Sequence, residues 1–447
     1  MPRRAEIVHD PRDLAGLARD EISQLSTSGY DVTGIASPAD LRDVQRLGEA
    51  ALDAARHAPR LADWPYREPS TAAAIVAALG PDSGSQTAPS DIADRIHGAW
   101  LGRSAGCILG KPIEGWPAHL IHAFLKAVDA WPPRGYLPAL DPSWTAYPPM
   151  KPSWPTATAG NIAGVPRDDD LDYTVLGLHV LETHGFDPTA DVFAEEMLDH
   201  LAFTQVFTAE RVVYRNLVCG IPPAQAAAFR NPYREWIGAM IRADIYGMTA
   251  PAMPRVAARS AMHDALFTHR ENGVYAAMWA AATLAAAIGG ASARDAVEAG
   301  LAQVPPQSRS AEAVLDVLRD ANAGLGWGAR IDALRGRFEA YGWVHAVPNL
   351  AAAAAAVLHG DGDLERTIGF AVAVGWDTDS AAATAGAIAG ALSGGSRLDP
   401  RWIAPLEDRI ASSVRGHTEV RIADAAARTT RLAVARLSQA GMQPGQS

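Results

Sequence analysis

GWDTDSAAATAGAIAGAL, residues 375–392, opens on a glycine and a polar turn and continues as an unbroken run of small and apolar residues. Strict polar–apolar alternation is absent, so the run predicts a buried helix, and its small side chains permit close contact with a neighbouring helix. DDDLDYTVLGLHVLE, residues 168–182, has the same form, a short acidic loop entering an apolar helical run. Further runs at helical spacing cover 94–109, 172–184, 191–204, 274–288, 292–302, 311–323, 349–358, 365–374 and 380–392. In RIADAAARTTRLAVARL, residues 421–437, Ile422, Ala425, Ala426, Thr429, Leu432 and Ala433 line one face, while Arg428, Arg431 and Arg436 occupy the others. No stretch reads as a strand and no fixed-period repeat is present, so the expected fold is all-α, a compact multi-helix bundle.

A chain of 447 residues with 48% hydrophobic and 20% charged content can bury a large core and is not disordered. The net charge of −11, with Lys and Arg scattered among acids, excludes a nucleic-acid footprint. Cys107 and Cys219 are too few for a disulfide framework, which points to a reducing interior. No apolar run is long enough to span a membrane and the first residues lack a secretory apolar region, so a cytoplasmic location is expected.

Residues 1–88 differ in composition, with amphipathic segments near 11–25 and 39–56 followed by DWPYREPS, and are expected to form a helical extension on a main domain of residues 89–447. The stretch 131–167 carries WPPRGYLP and YPPMKPSWP, a proline density that rules out a long helix. Loops of that length are usually functional or disordered, and its aromatic residues favour an ordered loop bordering a site and supplying an aromatic wall over a mobile lid.

The two acidic clusters carry the chemistry. Asp168, Asp169 and Asp170 are adjacent and repel one another, a penalty most readily relieved by a cation among them. Asp377 and Asp379 stand two apart, do not share a helix face, and converge only where the chain turns at a helix start. Asp and Ser also serve as N-caps, but a cap needs one short polar side chain, not three consecutive aspartates followed by Asp172. Hard oxygen ligands favour Mg²⁺, Mn²⁺ or Ca²⁺ over zinc.

Beside DRIHGAWLGRSAGCILGKPIEGW, residues 94–116, these clusters give the chain a resemblance to the ADP-ribosylglycohydrolase family, whose founding members remove ADP-ribose from modified nitrogenase reductase. Gly98-Ala99, Gly102, Gly106, Leu109-Gly110, Pro112 and Glu114 match the first family signature. Asp168, Asp169 and Asp170 fall on a Thr-Asp-Asp metal motif, and Gly375, Asp377, Thr378, Asp379, Ser380, Ala382 and Ala383 match the third signature. Thr268-His269, in ALFTHRENGVYAAMWAAA, is similar to a Thr-His segment of the family. Two positions depart from the pattern: Cys107 stands where Asp is commoner, and Asp168 where Thr is commoner. RNPYREWIGAMIRADIYG, residues 230–247, and the N-terminal extension lie outside the minimal family and mark a distinct branch.

The resemblance implies an ADP-ribosylglycohydrolase-like helical fold and a site for two Mg²⁺ ions, with Mn²⁺ as the alternative, held by Asp168, Asp169, Asp170, Asp377, Asp379 and Ser380. Glu114 is the candidate acid/base, with Asp169 in reserve, and Gly115, His269, Asn272 and Trp376 are the candidate substrate contacts. The implied reaction is hydrolysis of the ribosyl C1 glycosidic bond of an ADP-ribosylated protein. The alternatives are a small-molecule N-riboside or ADP-riboside as substrate, or a non-catalytic descendant like the family's lens crystallins.

Overall fold

The helix Ile92–Gly110 carries glycine at every fourth position, 98, 102, 106 and 110, which places them along one ridge. That ridge lies antiparallel against the helix Thr378–Ser393, pairing 98 with 390, 102 with 386, 106 with 382 and 110 with 378. A Cβ would fall 2.1 Å from the Gly390 carbonyl oxygen at Gly98, and 2.0 Å from those of Gly386 and Ala382 at Gly102 and Gly106. Only hydrogen fits. The two backbones therefore pack in direct contact, and both helices are buried over most of their length.

This is the computed structural model of the chain, and it describes residues 11–35, 44–82, 87–141 and 143–442. The remaining helices wrap the central pair. Asn272–Ile288 is buried at every position and packs on Pro254–Thr268 and Ala293–Leu301. Ala346–Gly360 and Leu364–Val374 cover Thr378–Ser393, and Ile422–Gln439 crosses Ile92–Gly110. Each helical run predicted above corresponds to a helix, with shifted ends: 191–204 stops at His200 and yields to a 3-10 turn at Phe203–Gln205. The sequence reading missed Ala118–Ala127, Thr208–Val218, Pro254–Thr268 and Trp327–Arg337.

One expectation needs correction. A two-stranded antiparallel pair, β1 (Arg409–Ala411) and β2 (Glu419–Arg421), does exist, with Ile410 opposite Val420, and three residues per strand are too few to show alternation. Arg436, off the apolar face, does not meet solvent. It is buried, donates to the Ser260 hydroxyl at 2.6 Å and lies 4.6 Å over the Phe186 ring, so its long side chain packs inward.

Pro11–Thr27 and Val44–Arg56 pair around Ala18, Ala51 and Leu52; residues 39–43 of the predicted segment lie outside the described residues. The pair is tied to the main body through charge. Gln24 and Ser28 each donate to Glu235 Oε1 at 2.6 Å, and the Arg309 guanidinium bridges Glu68, at 2.9 Å, and Glu235, at 2.5 Å. Among the described residues no helix is long and apolar enough to cross a membrane.

Candidate active site

The glycine ridge sets the end of one helix against the start of another, and the Thr378 hydroxyl donates to the Gly110 carbonyl at 2.8 Å. Beyond Gly110 a 3-10 turn, Lys111–Ile113, leads to Glu114. Ahead of Thr378, Gly375 and Trp376 take positive φ of 87° and 65°, a left-handed corner that turns the chain into Asp377. The Gly115 N–H donates to the Trp376 carbonyl at 3.2 Å and pins the two turns together. Carboxylate oxygens of Glu114, Asp377 and Asp379 consequently lie within 4.8 Å of one another.

Asp168 is the extended N-cap of Asp169–His184, and its Oδ1 accepts from the Asp170 N–H at 2.9 Å. The two clusters, over two hundred residues apart in sequence, meet where the Ser380 hydroxyl donates to Asp170 Oδ2 at 3.1 Å. All six predicted ligand residues and Glu114 face one cavity of about 630 Å³.

Three cationic side chains line that cavity, and each is held by a carboxylate. Lys111 contacts Asp168, Lys151 lies 3.1 Å from Glu114, and Arg167 lies 2.7 Å from Asp172. Buried Arg103 approaches from behind, 2.5 Å from Asp244 and 3.6 Å from Asp170 Oδ1, beyond hydrogen-bond reach. Among the described residues, Asp169, Asp377 and Asp379 thus share the cavity without an ion-pair partner, and Asp170 has only the long contact to Arg103. Burial pushes Asp169 up to about 7, with Asp379 adding to the rise, and pushes Asp170 up to about 7, with Asp169 adding. Burial and then Asp379 hold Asp377 well above the carboxylate range, and burial and then Asp170 raise Asp379. Glu114 is likewise raised to about 7 by burial and then by Asp379. Asp170 Oδ1 and Asp379 Oδ1 are buried with no hydrogen-bond partner among the described residues. Unsatisfied, all-oxygen donors of this kind fit a hard divalent cation.

Of the expected substrate contacts, Gly115 and Trp376 line an adjoining cavity of about 470 Å³ with Arg335 and Tyr341, and Trp343 borders both cavities. His269 and Asn272 do not line either one. His269 is fully buried, its Nδ1 2.7 Å from the Thr268 hydroxyl and 3.7 Å from Glu210, so it stands behind that cavity residue. Asn272 donates to Glu68 at 2.8 Å and Glu235 at 2.7 Å and accepts from Ser310, holding the base of the N-terminal extension. Its helix is buried all round, so its first residue faces the interior.

The 131–167 loop borders the cavity through Lys151–Ser153 and Arg167, but it supplies no aromatic wall. Trp131 packs on His122 and Trp327, Tyr136 on Trp402, and Tyr147 on Trp116, because these rings lower their free energy more by covering the core. The wall comes instead from Trp343, Trp236 and Phe207, which the sequence reading did not assign. Trp236 belongs to the 230–247 stretch singled out as foreign to the minimal family, which was its one available signal. Lys151 and Arg167 carried only the expectation that the 131–167 loop borders the site, and Glu210 carried none. Cys107 and Asp168, the two departures from the family pattern, offer atoms within 4.8 Å of each other and of Asp170.

The family model described as ADP-ribosylglycohydrolase matches residues 88–437. No curated protein matches the sequence. One solved structure, described as an ADP-ribosylglycohydrolase-related protein complex, aligns with a TM-score of 0.46 and 23% identity, over 77% of this chain and 99% of its own. Since the family match spans well over half of the residues, the chain belongs to the ADP-ribosylglycohydrolase family of glycosyl hydrolases.

Proposed function

We propose that the protein is an Mg²⁺-dependent hydrolase that cleaves the ribosyl C1 glycosidic bond of an ADP-ribosylated protein. The observation that carries this reading is the set of four carboxylates facing one cavity whose cationic side chains are each engaged elsewhere. Asp169, Asp170, Asp377, Asp379 and the Ser380 hydroxyl would hold the ions, with Mn²⁺ as the alternative metal. Asp168, which Lys111 already neutralises, stands at the edge of the set. When bound, the metal supplies Lewis acidity toward ribose oxygens and water.

The chain's own residues do the rest. Glu114 opens to the cavity and is oriented by Lys151 at 3.1 Å, a position from which it can take a proton from water as water adds at C1. The bond from C1 to the acceptor breaks with its electron pair leaving on the acceptor, and the surrounding carboxylates stabilise the positive charge that develops on the ribosyl carbon. Asp169 is the second candidate for the proton. The adjoining cavity, with Trp343 as an exposed flat face and Arg335, which lies over the Trp376 ring, as a cation, suits an adenine and a diphosphate.

A small riboside is the second reading. It is favoured by Trp236, Ile237 and Ile241, which bring the 230–247 stretch into the cavity wall where a bulky acceptor would approach. Residues 1–88 are read as an appended extension to a catalytic domain of 89–447, in a reducing cytoplasm consistent with two free cysteines. The test is a panel of ADP-ribosyl-arginine and ADP-ribosyl-serine proteins and simple nucleosides, with Mg²⁺ or chelator, read by product mass. Chelator-sensitive release of ADP-ribose from protein is expected. Turnover of nucleosides alone would establish the second reading, and no turnover of any substrate would make the protein a non-catalytic relative.

A further inference from the structure

Away from the acidic cavity, four imidazoles and one carboxylate gather where the helices Asp169–His184 and Ala190–His200 meet the turn between β1 and β2. Glu196 and His200 stand four apart on one helix face, and His179 faces them from the other helix. Glu196 Oε2 lies 3.2 Å from His179 Nε2 and 3.0 Å from His200 Nδ1, which also stands 3.2 Å from the Glu196 carbonyl oxygen, and among the described residues this buried Oε2 has no hydrogen-bond partner. Donors around a tetrahedral zinc ion, each about 2.0–2.1 Å from it, are separated by roughly 3.3 Å. The observed spacings are close to that.

The surroundings have the form of a metal site's outer layer. His417, from the β1–β2 turn, places Nε2 3.3 Å from His179 Nδ1, the nitrogen left free if Nε2 faces an ion. His184 Nε2 holds the second oxygen of Glu196 at 2.6 Å. The turn itself is fastened nearby, since the Arg415 N–H donates to the His200 carbonyl at 2.9 Å and the Ser413 N–H to Asp172 at 2.8 Å. His179 stands ten residues beyond Asp169 on the same helix, about 15 Å along its axis, so this cluster is separate from the acidic one.

We propose that His179, Glu196 and His200 bind one transition-metal cation of the zinc class, with His417 as the partner that orients His179. Two imidazoles and one carboxylate match the borderline softness of Zn²⁺, whereas Mg²⁺ takes oxygen donors. The ion ties the β1–β2 turn to two helices, and through Ser413 and Asp172 to Arg167 at the acidic cavity's rim. The proposal does not depend on the hydrolase reading of that cavity.

The test uses the full chain, stripped with chelator and kept in saturating Mg²⁺, titrated with Zn²⁺ by calorimetry and with Co²⁺ by visible absorption. One equivalent of Zn²⁺ is expected, displacing Co²⁺, raising the melting temperature and slowing amide exchange at residues 412–418. His200→Ala and Glu196→Gln should each weaken binding by about 100-fold or more, and His417→Ala by about 10-fold. Glu196→Gln keeps the side-chain volume, so a folding failure in His200→Ala leaves the question decidable. No Zn²⁺ uptake, uptake unchanged in Glu196→Gln, or uptake removed by Asp379→Asn instead would overturn the assignment.

Discussion

Gly102 and Gly386 meet backbone to backbone: a Cβ on the first would lie 2.0 Å from the carbonyl oxygen of the second, and a Cβ on the second 2.3 Å from that of the first. The same contact brings Glu114 to Asp379, because the helices run antiparallel: Glu114 lies just past the last ridge glycine, Gly110, and Asp379 follows Thr378, which faces that glycine at the start of the partner helix. Gly102→Ala should therefore cost stability, about 3 kcal/mol if the helices cannot part, and should lower turnover beyond that loss. Gly328→Ala is the control, since its Cβ meets nothing within 4 Å and alanine favours the helix. Urea unfolding of both variants decides the matter, and equal midpoints would show that the ridge is not close-packed.

Asp379→Asn separates a metal site from a structural acid. Removing one of four mutually repelling carboxylates should leave the chelator-treated protein as stable as the wild type or more so. The same variant should lose the melting-temperature rise that Mg²⁺ gives and bind Mg²⁺ at least ~100-fold more weakly. A drop in metal-free stability with the Mg²⁺ response intact would mean that Asp379 holds the fold and not an ion.

Cys107 and Asp168 exchange a carboxylate between neighbouring positions relative to the commoner family pattern, so the charge near Asp170 is conserved while its location moves. Burial and then Asp170 push the Cys107 thiol well above its usual value, which keeps it neutral. Cys107→Asp alone should destabilise the metal-free protein by roughly 3 kcal/mol, as an unpaired buried charge. Adding Asp168→Thr should recover most of that, because threonine still caps the helix. A double-mutant cycle with a coupling near zero would show that the two positions vary independently.

What the sequence disclosed was local. A run such as 375–392 reports its own burial through small residues, and an acidic loop at a helix start reports its own electrostatic strain, so the main helices and the acidic cavity were legible. Direction was not legible: His269 and Asn272 sit in a recognisable segment, but a helix buried on every face gives no period from which to tell cavity from core. Pro254–Thr268 was missed because charged residues interrupt its apolar stripe, although most of it is buried. The imidazole cluster draws on His179, His200 and His417, a spacing with no signature, and only the packing of two helices on a turn assembles it.

His345 caps the helix Ala346–Gly360, its Nδ1 accepting from the Val347 N–H at 3.2 Å, and it is fully enclosed. Burial holds it down at about 3 against an ordinary 6.5, opposed by Glu235 and assisted by Arg309. The folded state therefore binds fewer protons than the unfolded chain between those values, so stability is full above pH 6.5 and falls as the pH drops toward 3. At pH 5 the loss from this group is about 2 kcal/mol. His345→Asn keeps a capping acceptor and should flatten that part of the acid limb, seen by comparing urea midpoints at pH 7 and 5; an unchanged slope would assign the acid sensitivity elsewhere.

Trp343 borders both cavities, is 40% exposed, and has Lys151 Nζ 5.6 Å from its ring centroid. An exposed indole gains little from the fold, so its position is better explained by a ligand that covers it. If the two cavities are filled by one molecule, with ribose at the acids and a planar base against Trp343, removing the indole should act on binding. Trp343→Ala should then raise KM about 10-fold or more while changing stability by under about 0.5 kcal/mol. Free ADP-ribose should compete for the wild type and lose affinity for the variant by a similar factor. A simple nucleoside, which lacks the diphosphate, should show a smaller change if it enters only the acidic cavity. An unchanged KM for every substrate would leave the adjoining cavity outside the binding site, and with it the argument that the substrate carries ADP.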